Sequence, residues 1–325
     1  MPKEAFVHNT SYGRNSVHEL DPLGRLVVHP PHNDITWTRE EAEGNRFSHQ
    51  RLALQTYGGD LWMPQVNGCN ALVLDTRCAK DAGQFSETTQ PEETPRIYGG
   101  AKADGLLLRK GSSAGFLTAD CPTLVVMDVK KELLLAAHAG RDSLLDRGQI
   151  YSGEPTRENF SVIEGVMKVL RKYKVRAEDL FVGVYCGIGW QHFAHSFSKK
   201  GYKKKNRQLF SYLRKVYGPQ CFKQVNQHAL GIDLFEIIVA QLEAYGVKRE
   251  QIHRDEADTG KPGIHVGPKN GGGRYIKSEL ASHRRNTHSR NFILVQHAGP
   301  EFDPKANMRR LREKQLRELQ QLLDQ

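Results

Sequence analysis

Two side chains able to do nucleophilic or metal chemistry stand at the ends of one apolar hairpin. Cys121 sits in Thr118-Ala119-Asp120-Cys121-Pro122, and His138 sits in Ala136-Ala137-His138-Ala139-Gly140. Between them, the apolar runs Leu124–Asp128 and Leu133–Ala137 flank a charged turn, Val129-Lys130-Lys131-Glu132. A loop centred between Lys130 and Lys131 pairs His138 with Thr123 and leaves Cys121 two residues along on the same face. Such diagonal neighbours lie about 7–8 Å apart at Cα and closer at their side-chain tips. A metal with bonds of about 2.3 Å to sulfur and about 2.0–2.1 Å to nitrogen bridges that gap. A direct thiol–imidazole pair does so too, the imidazole favouring the thiolate. The plain alternative is a structural cysteine beside a satisfied core histidine. Pro122 and Gly140 interrupt the strands there, as happens at strand ends beside a site.

The elements that must hold this pair are short. Ala71–Leu74, Gly105–Leu108, Phe116–Ala119, Phe181–Ile188 and Phe292–Val295 read as strands, like the two hairpin runs. Val162, Ile163, Val166, Val169 and Leu170 share one face of a helix within 158–173. Leu234, Ile237, Ile238 and Leu242 share another face within 233–245, with Asp233 as its cap and Gly246 at its end. Residues 1–44 are polar, rich in His and Pro, and aperiodic, which predicts an irregular arm with one short strand at Leu26–His29. From Asn45 the apolar spacing is weakly helical. Asp81–Gly99 reads as an exposed loop. Residues 301–325 carry a leucine stripe, the pattern of an amphipathic helix that packs on the domain or on a second copy. Residues 45–300 then form a single domain of mixed α/β class.

Beyond the hairpin, the order of short motifs resembles the laccase-domain family of purine nucleoside phosphorylases, also called multicopper polyphenol oxidases. Asn45-Arg46 is similar to the family's NR element, and Gln65-Val66-Asn67-Gly68 to its QVHG. Ala103-Asp104-Gly105 through Cys121-Pro122 resembles its aDg…tADClP run, and His138-Ala139-Gly140 its HAGWrG. Ile232-Asp233-Leu234 with Gln241-Leu242 and Gly246-Val247 resembles vDL…qL…Gv. Ser282-His283-Arg284-Arg285 with Arg290 resembles SyRRd…tGR. The likeness spans about Asn45 to Val295. It implies two mixed β-sheets sandwiched between helices in four layers. It implies phosphorolysis of adenosine or inosine to base and ribose 1-phosphate, with zinc as cofactor. Cys121 and His138 are then both catalytic and metal-ligating, and Arg46, Arg284 and Arg285 bind phosphate.

Three departures accompany the likeness. The family's first zinc ligand is a His, where this chain has Asn67, and a neutral amide oxygen is a poor zinc donor. The Trp-Arg after HAG is Arg141-Asp142, and the Cys before the late Thr is missing from Glu256-Ala257-Asp258-Thr259. Three readings stay open. Zinc is held by Cys121, His138 and a substitute such as Cys69, with His192, His195 and His283 less definable. Or the pair works without metal as a Cys–His hydrolase or deamidase. Or the site is degenerate and the protein binds rather than reacts.

Other motifs are weaker. Gly111-Ser112-Ser113-Ala114-Gly115 matches G-x-S-x-G, but a nucleophile elbow needs a helix after it and an apolar strand follows, so a hairpin turn is expected. Gly267–Arg274 is glycine-rich but lacks the Gly-Lys-Ser/Thr ending of a phosphate-binding P-loop. No window of about 18 apolar residues exists, which argues against a transmembrane helix, and the first residues lack the apolar run of a secretory signal. Five cysteines, an odd number without a CxxC pair, argue against a disulfide framework and for a reducing cytoplasm. Of the net +10, a large share lies between Ser198 and Lys215, with eight basic residues and no acidic one. A solvated basic face accounts for them; a nucleic-acid partner through 199–215 is the alternative.

Overall fold

Runs such as Thr123–Asp128 and Leu133–His138 are apolar at every position, so neither face of such strands can be left to water. In the computed structural model both faces are covered. The structure describes residues 8–9, 16–20, 23–29, 60–66, 71–79, 83–87, 96–198, 200–255, 257–261, 265–266, 275–276, 280, 282, 284 and 291–298. A six-stranded sheet has the order Ile252–Arg254, Leu180–Tyr185, Thr123–Asp128, Leu133–His138, Gly105–Leu108, Val73–Asp75. Its two edge pairings are parallel and the rest antiparallel.

Alternation sorts this sheet's side chains into two cores. Leu124, Val126, Leu133, Leu135, Val182 and Val184 face a helical layer. Val125, Met127, Leu134, Ala136, Leu106 and Leu108 face a second sheet. The helical layer holds Val162–Lys172, Lys203–Val216 and Leu234–Glu243. Every residue of the expected helical stripe from Val162 to Leu170 is buried, and Ser161 caps that helix by accepting from the Glu164 amide. Asp233 caps the third helix as expected, and Gly246 follows it at φ 87.

The second sheet has eight strands: His8–Asn9, Ser16–Leu20, Gly24–His29, Asn291–His297, Ser112–Thr118, Asp60–Met63, Ile97–Gly99 and Ser86–Glu87. It too is mixed, because Asp60–Met63 runs parallel to both its neighbours. Two mixed sheets face to face with helices outside one of them give three layers of the expected four. The outer face of the eight-stranded sheet buries Val27, Leu61, Ile97, Phe292 and Leu294, and no described helix lies over it.

Three local expectations change. The stretch expected to be irregular contains the antiparallel pair Ser16–Leu20 and Gly24–His29, built into the sheet by pairing Gly24–His29 with Asn291–His297. Its partner strand lies more than 260 residues away, so only tertiary pairing reveals it. Ile97–Gly99 is buried strand rather than exposed loop, too short to show a period. The G-x-S-x-G segment is not a hairpin turn: Ser112–Thr118 is continuous strand, with buried Ser113 opposite Gln296. Positions 45–59, 67–70, 267–274 and 301–325 lie outside the described residues. So do the expected weak helix, Cys69, the glycine-rich segment and the C-terminal helix. Among the described residues no helix is long and apolar enough to cross a membrane.

Candidate active site

The hairpin register is the expected one: Thr123 pairs with His138, and the pairing runs on to Asp128 opposite Leu133. Cys121 stands just before its strand and His138 ends the other, so both are at one end of the six-stranded sheet. Their sulfur and ring lie against one another across Gly140. A Cβ built on Gly140 would sit 2.7 Å from Cys121 Sγ and 2.9 Å from His138 Cε1. Only a hydrogen fits there. Gly140→Ala is therefore expected to push the pair apart, costing about 1–3 kcal/mol of stability by overpacking and most of the activity. A thermal melt together with a rate assay checks it.

Asp104 completes the pair. His138 is buried, and its Nδ1 lies 3.0 Å from Ser143 Oγ and 3.5 Å from Asp104 Oδ1. Ser143 Oγ in turn donates to Asp104 Oδ1 at 3.2 Å. Asp104 Oδ2 accepts from the Ala71 amide at 2.8 Å, and its backbone carbonyl accepts from the His138 amide at 2.7 Å. Burial alone pulls the His138 pKa down. The neighbouring Cys121, followed by Asp104, outweighs it and raises the pKa from 6.5 to about 10. The ring is then an imidazolium at neutral pH, with Nδ1 directed at Ser143 and Asp104.

Backbone geometry aims the thiol. Asp120 has φ 76, a left-handed conformation that Asp tolerates better than most residues. Its side chain is held on both oxygens: Thr259 Oγ1 donates to Oδ1 at 2.8 Å and the Arg284 amide to Oδ2 at 2.9 Å. Its carbonyl accepts from the Ile188 amide at 2.9 Å. Thr259, in the segment that departs from the family pattern, thus pins the residue before Cys121. Ser143 is fixed through its helix, Arg141–Leu144, whose Leu144 carbonyl accepts from Gln241 Nε2 at 2.8 Å.

A cationic group adjoins the pair. Arg141 follows Gly140. Its Nε donates to Asp142 Oδ1 at 3.0 Å, and its Nη1 lies 3.3 Å from His195 Nε2. Arg284 lies with its guanidinium 4.8 Å above the Phe193 ring. Desolvation, then the neighbouring Arg141 charge, moves its pKa below the ordinary guanidinium value.

Of the residues singled out by sequence, Cys121, His138 and Arg284 are brought to one end of the fold. Asn67, Arg46, Arg285, Cys69 and His283 lie outside the described residues. His192 lies 3.6 Å from Asp258 and His195 Nε2 faces a guanidinium; among the described residues neither joins Cys121 and His138 in a group that could hold a metal. Asp104, Ser143, Asp120 and Arg141 were missed as functional. Asp104 had a signal, a lone carboxylate directly before the apolar Gly105–Leu108 run. Reading it required knowing that Gly105 pairs with Ala137.

The donor chemistry suits zinc in part. Thiolate and imidazole are two of its customary ligands, and a carboxylate behind the ring is the usual outer support. Among the described residues, no group of three His, Cys, Asp or Glu could hold a metal ion.

A family model, multi-copper polyphenol oxidoreductase laccase, matches residues 38–263. No curated protein matches the chain. Among solved structures, Neisseria meningitidis protein NMB0706 superposes with a TM-score of 0.54 at 12% identity, covering 90% of this chain and 99% of its own. Bacillus licheniformis hypothetical protein YfiH gives 0.54 at 12%, covering 90% and 96%. YlmD from Geobacillus stearothermophilus gives 0.53 at 14%, covering 90% and 98%. At such identities the likeness is one of fold.

Proposed function

The chain belongs to the multi-copper polyphenol oxidoreductase laccase family, and from that premise we propose that it is a purine nucleoside phosphorylase. The observation that carries the reading is the Cys121–His138–Asp104 arrangement beside the Arg141 and Arg284 guanidiniums. Phosphorolysis joins a phosphate oxygen to C1′ of the ribose while the bond from C1′ to the base breaks. The electron pair of that bond leaves on the base. Two things are asked of the protein: a place for the anion, and positive charge with a proton where the base departs. The guanidiniums supply the first. His138 supplies the second, as an imidazolium whose Nε2 proton passes to the departing base while Ser143 and Asp104 hold Nδ1. Cys121 lines the same wall, beside the ring. With zinc bound, Cys121 and His138 would hold the ion, and its Lewis-acid charge would take the place of the His138 proton.

A nucleoside panel, with and without phosphate and with and without zinc, tests this reading. Base released only with phosphate supports it. Base or ammonia released without phosphate supports the second reading, a metal-free Cys–His hydrolase or deamidase. That reading has its own support in a thiol, an imidazole and a carboxylate in the order nucleophile, base and orienter. No release from any nucleoside at any zinc level would leave a binding role.

Position 67 gives a separate test of the metal. Asn67→His restores an imidazole where the family has one, and zinc affinity is expected to rise about tenfold or more. Competition against a chelator measures it; equal zinc content in both proteins would count against zinc at this site. The proposed small-molecule partners are a purine nucleoside and phosphate. The basic helix Lys203–Val216 packs Leu209, Phe210 and Leu213 inward, and a solvated outer face accounts for its lysines without a nucleic acid.

A further inference from the structure

We propose that Arg141, His195 and Arg284 form an oxyanion seat that takes inorganic phosphate. It is built partly from residues outside the family pattern. The inference rests on the phosphorylase reading for the identity of the anion and on the geometry for its place.

His195 is the fixed floor. It is buried, with its ring edge-on to Phe193 at 4.9 Å and to Phe210 at 6.0 Å. Nδ1 lies 3.0 Å from the Phe193 carbonyl, which only accepts, and Nε2 lies 3.3 Å from Arg141 Nη1, which only donates. The ring is therefore neutral, with its proton on Nδ1 and an acceptor lone pair on Nε2. Burial, then the Arg141 and Arg284 charges, lowers its pKa to about 4. His195 thus orients Arg141 without adding a charge.

The two guanidiniums are under-neutralised. The carboxylate beside Arg141 is Asp142, which Arg147 shares. Among the described residues no carboxylate lies within ion-pair distance of the Arg284 guanidinium. Asp120 takes the Arg284 amide instead, while the guanidinium rests on Phe193 and reaches the Ala194 carbonyl only at 3.5 Å. Each arginine lies within reach of the other's charge. Like charges held together at a half-open site repel unless an anion bridges them, and the guanidinium fork matches the oxygens of phosphate.

The seat's position relative to the chemistry is the stronger argument. Arg141 is one residue from Gly140, which touches both Cys121 and His138. The Arg284 amide is held by Asp120, one residue before Cys121. Each arm is thus anchored next to the pair, from opposite strands of the hairpin. Where the family pattern places a Trp, this chain places a cation.

Direct titration of inorganic phosphate into the full-length protein, without nucleoside, tests the seat. Arg141→Gln and Arg284→Gln are each expected to weaken phosphate binding about 10–100-fold and to leave nucleoside affinity unchanged. Arg141→Lys should recover only part of the loss, because it keeps charge but not the fork. Phosphate should also shift the His195 ring resonances in the wild type and not in Arg141→Gln. Arg284 is exposed, so its variant folds and keeps the test readable should Arg141→Gln fail to fold. Phosphate binding equal to wild type in both glutamine variants, or no phosphate binding by the wild type, would overturn the seat. Phosphate binding that needs both arginines, in a protein that releases no base, keeps the seat and removes the phosphorylase reading. Base release undiminished in both variants does the reverse.

Discussion

Cys121→Ala is expected to lower turnover by about 10³–10⁴-fold, the range lost when one member of a cooperating catalytic group is removed. The substitution removes the thiol beside His138 and, with it, the first of the influences that raise the His138 pKa. Burial then prevails in part, and less of the ring carries the proton it must give. The fold should survive, because Cys121 is only half-buried at a strand end and a small residue leaves little cavity. Ser113→Ala is the matched control. Ser113 lies in the continuous Ser112–Thr118 strand opposite Gln296, with no turn to present its hydroxyl, so activity should persist. Rate assays beside thermal melts check both. An inactive Ser113→Ala with an active Cys121→Ala would move the assignment to serine chemistry and remove the thiol from the mechanism.

The part of this site that was legible in the sequence was local. Two apolar runs and a four-residue charged turn determine a register, and the register determines that His138 pairs with Thr123. The helices at Val162–Lys172 and Leu234–Glu243 were legible for the same reason, a stripe and a cap within one segment. The illegible parts are those made by distant pairing. Asp104 reaches His138 because the Gly105–Leu108 strand lies beside Leu133–His138, and no periodicity in either run says so. Likewise Thr259 and the Arg284 amide meet at Asp120 across more than 130 residues. Ordered motifs carried the family likeness where spacing could not. The same likeness singled out Arg284 without revealing that Arg141 and His195 share its surroundings.

Asp104→Asn is expected to destabilise the protein by about 3–5 kcal/mol, the usual cost of removing one partner of a buried ionic pair. Asn keeps an oxygen for the Ala71 amide but no longer offers His138 and Ser143 a negative charge. The imidazolium then lacks its carboxylate in a buried place, and its pKa falls toward the value that burial favours. The pH dependence has a definite sign. The folded-state pKa of His138 is raised, from 6.5 to about 10. Its contribution to stability is therefore complete below about pH 6.5 and is lost as pH rises through about 10. The gap between wild type and Asp104→Asn should be widest in the acidic part of that range and should narrow toward pH 10. Denaturant titrations at several pH values measure it. Asp104→Ala should be worse still, because it also strands the buried Ala71 amide and the Ser143 hydroxyl, at about 1–3 kcal/mol each. A gap that stays constant from pH 6 to pH 10 would show that Asp104 acts on the backbone around Ala71 and not on His138. The imidazolium would then drop out of the proposed reaction.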